Sequence, residues 1–176
     1  MATANYPYTQ YSGLWSLSSV ANAVAAGTWP VPPLPHLFTW GRNNFGQLGQ
    51  GDIANRSNPV QIGSSSWTQV AAGDLFTNAL RYLDGGLFTW GLGTSGQLGS
   101  LAATSRSSPV QVATSAIYAL VNINNTAYIR NDNTLWMWGT NTSGQLAQND
   151  SVNRSSPTQV AGSWISVAFD ETSTVF

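Results

Sequence analysis

The pentapeptide Leu37-Phe-Thr-Trp40-Gly41 returns as Leu87-Phe-Thr-Trp90-Gly91 and again as Leu135-Trp-Met-Trp138-Gly139. The spacings are 90 − 40 = 50 and 138 − 90 = 48 residues. Three further markers keep step with the tryptophans. Seven residues after each stands a glutamine (Gln47, Gln97, Gln145), sixteen after it an arginine (Arg56, Arg106, Arg154), and nineteen after it a proline (Pro59, Pro109, Pro157). Four markers in one ungapped register, three times over, define a repeat array, whose units bury their apolar faces against one another.

The local chemistry of the repeat is that of β-structure. The runs Leu37–Trp40, Val60–Ile62, Trp67–Val70 and Thr77–Leu83 are rich in β-branched and aromatic residues, and Gly, Pro, Asn and Ser clusters bound them. They read as four short strands per repeat. Each Pro is expected to open its strand, where a missing N–H costs least. The glycines around Gln-Leu suit a tight turn with the Leu turned inward. The repeated Gln is read as an amide tying that turn to its neighbour, and the Arg, beside Ser57, Ser107 and Ser155, as bonding turn backbone. The repeat tryptophans are read as core. A four-stranded unit of about fifty residues fits a propeller blade better than a helical solenoid. The expected fold is all-β, a partial β-propeller of about three blades over residues 37–86, 87–134 and 135–176, the last one truncated.

Composition removes whole classes of function. Only 7% of the 176 residues are charged, Lys is absent, and the six Arg are scattered, so a basic surface for nucleic acid is not expected. There is no Cys, which excludes disulfides and thiolate metal sites. No apolar run reaches the ~18 residues of a membrane span, so no membrane insertion is expected. The first basic residue is Arg42, which leaves the N-terminus without the positive region of a secretory signal.

A strand ending in Trp-Gly, then Gly-Gln-Leu-Gly, then a Pro-bearing strand resembles the regulator of chromosome condensation repeat family over residues 37 to 176. The resemblance implies a propeller, seven-bladed in that family. It weakens late in each repeat, where Gly73-Asp-Leu-Phe76-Thr77-Asn-Ala79-Leu80 has Phe in place of a family His, and Val121-Asn-Ile-Asn-Asn-Thr126 has lost the Gly. Repeat three breaks off within a strand after Trp164-Ile-Ser-Val167. Fewer than three blades cannot close a ring. A longer gene product, several chains in one ring, and edges packed on another protein each answer this, and the first is favoured.

Residues 1–36 stand outside the repeat. Residues 1–28 read as an attachment arm, extended or partly helical. Leu17, Val20, Ala21 and Val24 lie at helical spacing between a Ser cap and Gly27. A helix this short needs a surface to bind. Tyr6, Tyr8, Tyr11, Leu14, Trp15, Leu17, Val20, Val24 and Trp29 are its expected docking residues, and residues 29–36 form a Pro-rich, extended linker. The stretch Ser12-Gly-Leu-Trp15-Ser-Leu17, leading to Trp29-Pro30, is similar to an element of bacteriophage tail fibres and other virion structural proteins. That resemblance implies location in a virion, docking on other virion proteins through residues 1–36, and an outward propeller for a host-surface receptor, in a multi-chain assembly.

Catalytic chemistry has little to work with. His36 is the single histidine and lies in the linker. Asp52 and Asp150 occupy equivalent places, where repeat two has Ala102, and read as turn residues; Asp170-Glu171 is the one adjacent acidic pair. Gly91-Leu-Gly93-Thr-Ser-Gly96 lacks the Lys of a phosphate loop, and no calcium-loop pattern is present. No catalytic, cofactor or metal site is expected. The leading expectation is therefore a phage virion structural protein. The alternative is a propeller interaction module of the chromosome-condensation-regulator type, acting like an exchange factor or an enzyme inhibitor.

Overall fold

The computed structural model describes residues 35–169 and the strand residues 174 and 175. The nine docking residues of the arm lie outside them, as does the helix expected there. Among the described residues all regular structure is β. The strands are β1 (Phe38–Gly41), β2 (Arg56–Gln61), β3 (Trp67–Ala72), β4 (Phe76–Arg81), β5 (Leu87–Gly91) and β6 (Arg106–Ala113), followed by β7 (Ala116–Val121), β8 (Asn125–Arg130), β9 (Leu135–Gly139), β10 (Arg154–Val160), β11 (Ala168–Phe169) and β12 (Thr174–Val175).

Every pairing is antiparallel, and the sheets follow chain order. β3-β4-β5-β6 and β7-β8-β9-β10 are two complete four-stranded blades, β1-β2 is the second half of a preceding blade, and β11-β12 is the first half of a following one. The sheets are thus out of phase with the sequence repeats. A repeat begins on the Trp strand, the third of its blade, so each repeat spans the seam between two blades. This is a partial β-propeller.

Three apolar seams replace a single core. Leu37, Ile62, Trp67, Ala79 and Trp90 fill the first, between β1-β2 and the first complete blade. Leu80, Leu87, Ala116, Ala119, Tyr128 and Trp138 fill the second. Ala127, Ile129, Leu135, Met137, Leu146, Val160 and Val167 fill the third, against β11. The glutamine turns supply the pins: Leu48, Leu98 and Leu146 are all buried.

Two expectations are corrected here. Trp90 and Trp138 are fully buried, but Trp40 is 60% exposed. Each buried tryptophan faces the blade before its own, and among the described residues none precedes β1. The prolines do not open their strands. Pro59, Pro109 and Pro157 are the fourth residues of β2, β6 and β10. They sit in a bulge: Thr39 pairs with Val60 and Gly41 with Arg56, so three residues stand opposite Trp40 alone. β6 shows the same register shift between Thr89 and Gly91. An unpaired bulge residue has no ladder bond to lose, so Pro is tolerated there.

The asymmetry among the tryptophans has a direct consequence for stability. Trp138→Ala should cost about 3–5 kcal/mol, the range for a large buried aromatic, whereas Trp40→Ala should cost under about 1 kcal/mol. Urea unfolding of the two variants beside the parent chain measures the difference.

Candidate functional site

Alternating strand direction places the loops on two rims. The Trp strand ends at the rim where its glutamine turn begins, and the loops 42–55, 92–105 and 140–153 share that rim. The first two loops are stitched to the following blade. The Gly51 N–H donates to the Ser107 carbonyl at 2.8 Å, and Leu101 N–H to the Ser155 carbonyl at 2.9 Å. The Ser155 hydroxyl donates back to the Leu101 carbonyl at 3.1 Å.

A buried asparagine organises the first and third loops. Asn43 is fully buried. Its Oδ1 accepts the Leu48 N–H at 2.9 Å, and its Nδ2 donates to the Asp52 and Ala54 carbonyls at 3.0 and 3.1 Å. Asn141 repeats the arrangement with the Leu146 N–H at 2.8 Å and the Asp150 carbonyl at 2.9 Å. These asparagines stand three residues after Trp40 and Trp138, a fifth marker in register that the sequence reading missed. The middle repeat has Gly93 instead, where a Cβ would run into the Thr104 carbonyl. That loop takes another course.

The acids and arginines follow the same division. Asp52 pairs with Arg56, and Asp150 with Arg154. Arg56 also donates to the Ala54 carbonyl at 2.9 Å and Arg154 to the Val152 carbonyl at 2.7 Å. The Ala54 N–H, and then Arg56, hold the Asp52 carboxyl below its ordinary pKa; the Val152 N–H and Arg154 do the same for Asp150. Arg106 differs. Ala102 replaces the acid beside it, and Arg106 is exposed, its guanidinium without a hydrogen bond or ion pair to any described residue.

The repeated glutamines do more than tie their turn to its neighbour. Each side-chain Oε1 accepts an N–H two residues back, from Phe45, Ser95 and Ser143, and so braces its own turn. Gln97 Nε2 also donates to Asn124 Oδ1 of the next blade at 3.4 Å, an amide tie of the kind expected, but the shorter bonds to the next blade are made by the glutamine's backbone carbonyl. Gln47 O accepts Trp90 Nε1 at 2.8 Å and the Thr77 hydroxyl at 3.0 Å. Gln97 O accepts Trp138 Nε1 at 2.8 Å and the Thr126 hydroxyl at 3.1 Å.

The rim is also where apolar side chains stay in solvent. Ile53 is 66%, Leu101 79% and Val152 60% exposed, one from each loop. Leu101 has φ +68°. Its counterparts are Gly51 and Asn149, residue types that take left-handed backbone at low cost, as leucine does not. The opposite rim carries Tyr82 and Leu83, both exposed, beside the Arg81–Asp84 pair. His36 is exposed at the start of the described residues, and Asp170-Glu171 lies outside them. No cluster of three metal-ligating side chains occurs among the described residues.

Blades of this order and register, joined through tryptophan and glutamine turns, define a propeller-type repeat protein. The chain belongs to the family of the regulator of chromosome condensation (RCC1) repeat, whose pattern matches residues 36–80, 84–119 and 132–175. Solved structures agree on the fold. Prp20p of Saccharomyces cerevisiae, described with its binding to Gsp1p and histones, superposes with a TM-score of 0.65 at 18% identity, over 72% of this chain and 34% of its own. Human WBSCR16 superposes with a TM-score of 0.64 at 23% identity, over 74% and 34%. Yeast RCC1 (Prp20) bound to Kap60 gives 0.65 at 18%, over 72% and 33%. The chain spans about a third of these proteins. No curated protein matches it in sequence.

Asn141→Ala leaves the Leu146 N–H without its buried acceptor and should cost about 2 kcal/mol or more in urea unfolding. Asp150→Asn tests the acid. A carboxyl with a folded pKa below its unfolded value stabilises above the ordinary carboxylate range, and loses that contribution as pH falls through the folded value. The variant should therefore unfold at a lower temperature than the parent near pH 7, and the gap should close in acid below about pH 4.

Proposed function

We propose that the propeller is a protein-binding module whose contact face is the loop rim carrying Ile53, Leu101 and Val152 around the exposed Arg106. The observation that carries this is Leu101. A leucine in left-handed backbone costs of order 1 kcal/mol or more. It also places a large apolar side chain in water, 79% exposed. The left-handed backbone serves the bonds to Ser155, but a leucine there does not, and the equivalent Gly51 and Asn149 take the same conformation without either cost. Strain and exposure together at one loop residue point to contact with something outside the chain. The partner's chemistry follows: an apolar patch for the three aliphatic side chains, with an acidic group opposite Arg106. The binding of Gsp1p, histones and Kap60 by yeast relatives supports a protein as that partner.

The finer forms of this reading are exchange-factor-like action on a GTPase and inhibitor-like binding to an enzyme. Nucleotide release and enzyme inhibition assays separate them. Location in a virion is a further proposal. It rests on the sequence of residues 1–36 alone, and mass spectrometry of purified particles lacking this peptide would sink it.

Leu101→Asn separates binding from folding. It should raise stability by up to about 1 kcal/mol by relieving the backbone, yet weaken partner binding at least ~10-fold, as loss of a central anchor does. Leu83→Asp on the opposite rim should leave binding unchanged. If Leu83→Asp abolishes binding and Leu101→Asn does not, the contact face is the other rim.

A further inference from the structure

We propose that Asp84–Gly85 is a modification site: a point of isoaspartate formation that Arg81 holds inactive in the folded turn, and whose conversion undocks that turn from the second complete blade. This goes beyond the binding role of the opposite rim and does not depend on it.

Leu83-Asp84-Gly85-Gly86 holds the single Asp-Gly sequence of the chain. It lies in the turn between β4 and β5, with the Asp84 side chain 42% exposed. A carboxyl followed by glycine can close on the next backbone nitrogen, because glycine puts no side chain in the path. The Gly85 nitrogen attacks Asp84 Cγ and a C–N bond forms. Water leaves, made from the carboxyl hydroxyl and the amide proton. Water then adds back to the five-membered imide. Opening at Cγ restores aspartate, whereas opening at the Asp84 backbone carbonyl leaves the chain running through the side chain, one methylene longer. The sum is an isomerisation whose only co-reactant is water.

The two reacting groups are held unequally. The Gly85 N–H donates to no described residue, so the nucleophile is free. The carboxyl is gripped. Asp84 Oδ1 accepts Arg81 Nε at 2.9 Å and the Gly86 N–H at 3.0 Å, while Oδ2 accepts Arg81 Nη2. A two-point guanidinium contact of this kind fixes the carboxylate plane. Arg81 itself lies over the Phe88 ring, 4.7 Å from its centroid. Arg81, and then the Gly86 N–H, draw the carboxyl down to about 2. The ionised form does not close the ring, since it has no hydroxyl to lose. Arg81 and Asp84 are the only charged residues lining the hollow of about 520 Å³ beside the turn, which opens it to water.

The same turn is a joint between blades. The Ala116 N–H donates to the Gly85 carbonyl at 2.9 Å, and the Ser115 N–H to the Asp84 carbonyl at 3.4 Å. Gly85 has φ +60°, and an added Cβ would lie 2.7 Å from the Ala116 carbonyl. Close approach thus keeps glycine at the position that exposes Asp84 to attack. The second complete blade makes the joint another way. Asn133, with φ +64°, accepts the Trp164 N–H at 2.8 Å. Asp132 there precedes an asparagine and is held by Thr134 in place of an arginine. An extra methylene at Asp84 would carry the Gly85 carbonyl away from Ala116, which is buried in the second seam with Leu80 and Leu87.

The test ages the full chain for several weeks at about pH 6, folded or unfolded in guanidinium chloride. Isoaspartate is read as lost cleavage by an endoproteinase that cuts before aspartate, with mass spectrometry locating the uncut site. The unfolded chain should lose cleavage at Asp84 at least ~10-fold faster than the folded one, the change in neutral carboxyl for one pKa unit. Folded Arg81→Gln should also lose it at least ~10-fold faster than the parent, and at Asp84 before Asp132. Arg81→Lys keeps the charge without the planar fork and should fall between the two. Aged Arg81→Gln should unfold at lower urea than the same variant fresh, in step with its isoaspartate content. A folded parent that ages at Asp84 as fast as the unfolded chain overturns the inference. So does a folded Arg81→Gln that ages no faster than the parent, or, should that variant not fold, an Arg81→Lys that ages at the parent's rate. Isoaspartate at position 84 that leaves the urea midpoint unmoved overturns the undocking.

Discussion

The indole N–H of one blade, bonded to a turn carbonyl of the blade before it, is the interaction on which the rest of the structure depends. At 2.8 Å, Trp90 to Gln47 and Trp138 to Gln97 satisfy a buried donor that would otherwise cost the packing much of its value. The contact requires glycine at Gly49 and Gly99, because a Cβ there would lie within 3 Å of the ring. Trp, Gln and Gly therefore recur together. They are two sides of one seam, and a chain with few charges can build its interior from such seams without a central core.

Stitching at the seams also makes the rim rigid. Buried asparagine amides hold the first and third loops, and backbone bonds to Ser107 and Ser155 fix the first and second to the next blade. On such a frame a strained, exposed leucine is held in one conformation, so an apolar contact made through it loses little conformational entropy on binding. The middle loop, with Gly93 for asparagine and Ala102 for the acid, is the one whose arginine has no ion pair among the described residues. Departure from the repeat and availability for contact coincide there.

Much of this was legible in the residues. The β-class, the short strands, the inward leucines of the glutamine turns and the propeller family all follow from spacing and residue type. The asparagine clamp was legible too, three positions after Trp40 and Trp138, and went unread because polar residues in Gly/Asn-rich turns look like ordinary turn formers. Other features were not legible. That Pro59 lies inside a bulge depends on cross-strand pairing, and that the glutamine carbonyl accepts the next blade's indole depends on how the blades pack. Leu101 carries no sequence signal of strain, since φ is a property of the folded loop.

The opening repeat, Leu-x-x-Trp-Gly with its glutamine, arginine and proline in step, determined by itself that the chain is a β-repeat array, because period and residue type dictate strand and turn locally. What only the tertiary structure decided is how that array is cut. Three sequence repeats become two whole blades and two halves, since hydrogen bonding groups strands by edge and not by order of recurrence. The same packing decided that three equivalent tryptophans are not equivalent in burial. An indole is core only if a blade stands before it, and for Trp40 none does among the described residues.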